Sequence, residues 1–132
     1  MAIQIERLDN EPIVIVRVTD PVDNIEDPRQ TNDGVLAALE QSAGTLWRIT
    51  DFSEASLSFS DLVLGMGLDE TMTHPQVRNI VVGASEMVEM IGSSAAQKQY
   101  GGLSVAVVED LETALALARY DAAVSEQADP PA

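Results

Sequence analysis

Residues Ile13–Val18, IVIVRV, place apolar, β-branched side chains at almost every successive position. Side chains of a strand alternate between its two faces, so such a run needs cover on both sides. β-Branching also favours extended chain over helix. The stretch is therefore expected at the centre of a layered sheet. Just before it, AIQIERL (Ala2–Leu8) alternates, with Ile3 and Ile5 opposed to Gln4 and Glu6, the pattern of a half-buried strand. The link Asp9–Pro12 is short enough to demand an antiparallel hairpin.

Beyond Val18 helical and strand patterns alternate. DPRQTNDGVLAALEQSAG is expected to form a helix with Asp27 as N-cap, Pro28 at the first helical position and Gln30 in the reciprocal capping place. Val35, Leu36 and Leu39 give it an apolar stripe, and Gly44 a stop. TLWRITDF is the third strand. A helix over about Ser58–Thr71 follows, with Phe59, Leu62, Val63 and Met66 on one face. VRNIVVG (Val77–Gly83) is the fourth strand, SEMVEMIGSSAAQKQ a third helix and LSVAVVE (Leu103–Glu109) the fifth strand. Asp110 caps a last helix whose Leu111, Ala114, Leu115 and Ala118 keep helical spacing. The order ββαβαβαβα predicts an α/β fold on a five-stranded mixed sheet, its first strand antiparallel and the rest joined by right-handed crossovers. One domain is expected over 1–122, with a flexible polar tail over 123–132.

Charge narrows the function. Twenty-two acids against 7 bases leave the 132-residue chain at −15, which makes nucleic acid and anionic membrane poor partners. No cysteine is present, so disulfides, thiolate metal sites and cysteine nucleophiles are excluded. No apolar run approaches the roughly 18 residues that span a bilayer. MAIQIERLDN lacks a basic and an apolar leader region, and a cytoplasmic protein is expected.

The third strand ends in Asp51-Phe52-Ser53, and Ser60 falls seven residues further on. With the strand order and the closing EDLETALALAR, this resembles the STAS domains, the sulfate-transporter and anti-sigma-factor-antagonist fold, and in particular their divergent STAS-like branch. Members of the regulatory branch carry Asp-Leu-Ser at this strand end and Asp-Ser-Ser-Gly at the mouth of the next helix. Here Phe59, Asp61 and Leu62 replace the aspartate, the second serine and the glycine, so the resemblance does not carry over a phosphorylation site. It implies a non-enzymatic module that binds a protein, a nucleotide or a small apolar ligand.

The candidate sites follow from strand ends and caps. Ser58-Phe59-Ser60-Asp61 reads as a capping box, worth roughly 1 kcal/mol, which accounts for these serines without a phosphorylation switch. Gly83 is expected to make a tight strand-to-helix turn with Ser85 as cap. Ligands of open α/β sheets gather at the carboxyl ends of strands, here Asp51–Ser53, Gly83–Ser85 and Glu109–Asp110. The acidic loop Asp20–Asp27 lacks the glycine and ligand alternation of a calcium site, and is expected to be a solvated helix start. His74, the only histidine, has no neighbouring nucleophile in THPQ. No metal or cofactor is expected. Leu64 and Leu68 lie four apart on a helix that is apolar almost all round, beside Gly65 and Gly67, and are expected to form a protein contact, most simply a two-fold homodimer. The alternative to an interaction module is a carrier holding an apolar small molecule or lipid between helices and sheet.

Overall fold

The computed structural model describes residues 3–20, 23, 25–42, 44–55, 71, 74–83 and 105–128. They form β1 (Ile3–Arg7), β2 (Ile13–Thr19), α1 (Glu26–Glu40), β3 (Leu46–Glu54), β4 (Val77–Val82), β5 (Val105–Val108) and α2 (Leu111–Ala128). The helices expected over about 58–71 and 85–99 lie outside the described residues, apart from Thr71. The five strands make one sheet in the order β1-β2-β3-β4-β5. β1 is antiparallel to β2, and every later pair is parallel, so the mixed α/β sheet has the strand directions expected.

The β1–β2 hairpin closes with the Leu8 N–H donating to the Ile13 carbonyl at 3.0 Å. Asn10 in its turn has φ 63°, a left-handed conformation that asparagine adopts more readily than most residues. β2 then runs through the interior. Val14, Val16 and Val18 join Ile3, Val35, Ala38, Leu46 and Val77 on one face. Ile13 and Ile15 join Ile49, Ile80, Val82, Ala114 and Ala118 on the other. α1 covers the first face and α2 the second, which is why the strand is apolar on both sides.

α1 departs from expectation at its start. Asp23, not Asp27, is the capping side chain: its Oδ1 accepts the N–H groups of Ile25 at 2.9 Å and Glu26 at 2.8 Å. Asp27 sits inside the first turn, and its Oδ2 accepts the Asp23 N–H at 2.8 Å. The reciprocal pair satisfies N–H groups that a helix start leaves free, and it does so one turn earlier than Pro28 suggested. The helix also ends before Gly44. The N–H groups of Gln41 and Ser42 donate to Ala38 and Leu39, and the Ser42 hydroxyl donates to the Ala38 carbonyl at 3.0 Å.

The stripe of α1 differs as well. Its buried face is Asp27, Thr31, Val35 and Ala38, while Leu39 packs at the margin and Leu36 is exposed. The cause is the approach to β1. Gly34 lies against Ile5 so closely that a Cβ at this position would collide with Ile5 Cδ1. At about 100° per residue Leu36 points some 200° away from Gly34, on the flank turned from β1. Gly34 lets the helix lie close against β1 on one side, and Leu36 faces outward on the other.

A paired substitution tests this contact. Gly34→Ala would gain about 1 kcal/mol of helix propensity but meet Ile5 Cδ1. In an Ile5→Val background, which lacks that atom, Gly34→Ala is expected to stabilise by about 0.5–1 kcal/mol in urea denaturation. No gain in that background would show that another contact sets the distance between α1 and β1.

α2 begins as expected, with Asp110 Oδ1 accepting the Thr113 N–H at 2.7 Å. Ala114 and Ala118 are fully buried, and Leu111, Leu115 and Leu117 flank them. Arg119 reaches the hairpin, where Nε and Nη2 donate to Glu11 Oε1 and Oε2 at 2.7 and 3.2 Å. The pair is exposed to solvent and orients the helix more than it stabilises it. The helix continues to Ala128, into the stretch expected as a tail.

Candidate functional site

Parallel register brings the strand ends together. Arg17 of β2 stands beside Asp51 of β3, Asp51 beside Val82 of β4, and Val82 beside Val108 of β5. Three of the expected site residues therefore share the carboxyl edge of the sheet. Asp51 is half-buried, and its Oδ1 accepts the Ser53 N–H at 2.9 Å, at the register shift between β2 and β3 just before β3 ends at Glu54. Ser53 is exposed. Gly83 is buried, with its N–H donating to the Val108 carbonyl at 3.2 Å. Ser58, Ser60, Leu64, Leu68 and Ser85 lie outside the described residues. His74 precedes β4 and so lies at the other end of that strand from Gly83; its Nδ1 accepts the Gln76 N–H at 3.1 Å.

The same edge holds both helix starts. Hydrogen bonds from the N–H groups of Glu26 and Ile25 hold the Asp23 carboxyl below its ordinary 3.8. The Thr113 side chain, and then its N–H, do the same for Asp110. At the opposite edge the hydrogen bond from Arg119 lowers Glu11 from 4.5. A carboxyl whose pKa is lower folded than unfolded binds protons more weakly in the native state. Its contribution is present above the unfolded pKa and is lost as pH falls through the lowered folded value. The melting temperature is therefore expected to drop as pH falls below about 4. Asp23→Ser keeps a capping acceptor that does not titrate, and should shrink that drop. An unchanged drop in calorimetry would remove the Asp23 carboxylate from the effect.

Two features escaped sequence reasoning. The first is a buried polar group on the α1 side of the sheet. Arg48 is only 4% exposed; its Nε donates to Thr50 Oγ1 at 3.0 Å and its Nη1 to Thr71 Oγ1 at 2.9 Å. Asn79, its neighbour on β4, is buried too. The signal was available: Arg48 and Thr50 share a strand face with Leu46, and β3 is central. The guanidinium ties the approach to β4 onto the middle of β3.

The second is a pair of exposed apolar side chains, Ile25 at the start of α1 and Leu36 within it. Ile25 is 50% exposed and Leu36 38%. They are three turns apart on the helix flank away from β1, about 16 Å along the axis. Ile25 lies among the acids of the Asp20–Asp27 loop, and the spacing of Leu36 with Val35 and Leu39 suits a buried stripe.

Among the described residues no three histidine or carboxylate side chains converge as metal ligands. No described helix is long and apolar enough to cross a membrane. No family model matches the chain, and neither curated proteins nor solved structures give a significant match. The described residues form an α/β fold with a five-stranded mixed sheet, α1 packed on one face and α2 on the other.

Proposed function

We propose that this chain is a non-enzymatic, STAS-like interaction module of the cytoplasm that acts by binding another protein. The observation that carries this is the exposure of two large apolar side chains on one flank, Ile25 at the start of α1 and Leu36 within it. Two aliphatic side chains exposed on the same flank give a partner protein points on which to pack. The strand order supports a surface over a crevice. Ligand crevices in open α/β sheets form where the order of strands reverses, and β2 to β5 add in one direction without reversal. The antiparallel first hairpin and the place of Asp51-Phe52-Ser53 near the end of β3 support the STAS-like reading. The contact is proposed to run from the α1 flank toward the carboxyl edge carrying Asp51, Ser53 and Gly83.

Native mass spectrometry of the protein purified gently from its own host separates this from the carrier alternative. A stoichiometric second polypeptide is expected. The chain alone, with a stoichiometric apolar small molecule bound, would overturn the proposal in favour of a carrier.

A further inference from the structure

β1 is the outermost strand, and among the described residues no strand pairs with its outer side. The Leu8 N–H donates to the Ile13 carbonyl, and the same register sets Gln4 opposite Arg17 and Glu6 opposite Ile15. Hydrogen-bonded pairs alternate along an antiparallel ladder, so Gln4, Glu6 and Leu8 turn their backbone groups to β2. Ile3, Ile5 and Arg7 turn theirs outward. Such an edge is a template for another strand unless proline, lysine or a bulge blunts it. IQIER has neither proline nor lysine, its pairing with β2 is unbroken, and Ile5 at its middle is 38% exposed.

Beyond the proposed interaction function, we infer that two copies of this chain pair through β1, antiparallel about a two-fold axis at Ile5, and join their sheets into one. An axis perpendicular to the sheet keeps every side chain on its own face, so a residue opposes itself or one an even number of places away. With Ile5 opposite Ile5, the outward backbone groups of Ile3, Ile5 and Arg7 meet those of Arg7, Ile5 and Ile3 in the second copy. Gln4 then stands opposite Glu6, amide to carboxylate, twice. An axis at Gln4 would carry Arg7 past the end of the second strand, and an axis at Glu6 would oppose Glu6 to Glu6. The helices fit the same axis. α1 packs over β1 and β2, inside the edge, so strands about 4.8 Å apart would bring the two α1 helices to about 10 Å, an ordinary packing distance. The flanks that meet are uncharged: at about 100° per residue Gln30, Ala37 and Gln41 lie beside Gly34, on the side away from the buried Val35. An extended peptide from another protein would satisfy the strand edge and leave that flank bare, whereas a second copy covers both. The −15 on each copy opposes approach, so salt should favour the pair.

Sedimentation equilibrium of the intact protein, at concentrations up to about 1 mM, should show a dimer that tightens about tenfold between about 0.1 and 1 M sodium chloride. The register is read by disulfide cross-linking, which the absence of native cysteine makes clean. Gln4 and Glu6 are exposed, so cysteine in place of either leaves the core intact, and circular dichroism checks that each variant is folded. Gln4→Cys protein mixed with Glu6→Cys protein and oxidised with copper phenanthroline should give the mixed dimer, because opposed Cα atoms stand about 5 Å apart, within disulfide reach. Either variant alone should cross-link far less, since its two cysteines would lie about 8 Å apart between Cα atoms. A monomer at both salt concentrations, or a dimer that salt loosens, would overturn the inference. So would a dimer whose mixed variants cross-link no better than either alone. Each of these results leaves the proposed contact at Ile25 and Leu36 standing, because that contact lies on the other flank of α1.

Discussion

Ile49→Ala is expected to destabilise the protein by about 2–5 kcal/mol, in the upper half of that range. Ile49 is fully buried on β3, paired in register with Ile15 on one side and Ile80 on the other. All three belong to the cluster beneath α2 with Ala114 and Ala118. Branched neighbours held at χ1 on a hydrogen-bonded sheet have little freedom to collapse into the space left behind. The alanines of α2 are already too small to fill it. Urea denaturation measures the loss directly. A cost under about 1 kcal/mol would mean that the site relaxes far more than a packed sheet-and-helix layer allows.

Arg48→Ala, one residue earlier and on the opposite face, is expected to cost about 3 kcal/mol or more. The hydrogen bonds from the guanidinium to the hydroxyls of Thr50 and Thr71 are lost, at about 1.5–3 kcal/mol each for a charged donor. Arg48→Lys should recover less than half of this. An ammonium is a single point of charge and cannot hold two hydroxyls at the fixed angle of the guanidinium fork. Thr71→Val keeps the shape, removes one acceptor, and should cost about 1–2 kcal/mol. The expected order of loss is Arg48→Ala, then Arg48→Lys, then Thr71→Val. A lysine variant as stable as wild type would show that the fork geometry contributes nothing.

The sheet was legible because its signals are local and repeated. IVIVRV could only be a strand covered on both faces, and the four-residue link at Asp9–Pro12 fixed the antiparallel partner. The last helix was legible for the same reason: Asp110 and its four apolar followers lie within one stretch of chain. What the sequence concealed depended on distant residues. The choice between Asp23 and Asp27 as cap turned on a loop conformation, since both aspartates precede apolar periodicity and Pro28 pointed to the later one. The exposure of Leu36 depended on Gly34 meeting Ile5, a contact across twenty-nine positions that no helical wheel contains. The buried setting of Arg48 comes from the central place of β3 and the position of Thr71, neither of which its own stretch of chain shows. The spacing of Val35, Leu36 and Leu39 suits a buried face, so the outward turn of Leu36 is not legible in it.

Site-specific photocrosslinking tests most directly whether the α1 flank is the surface through which the protein works. Benzoylphenylalanine in place of Leu36 is compared with the same group in place of Tyr120, which is 68% exposed on α2. Irradiation in extract of the host should join the group at position 36 to one discrete protein, and the group at position 120 to none. Equal labelling from both positions, or none from position 36, would contradict it.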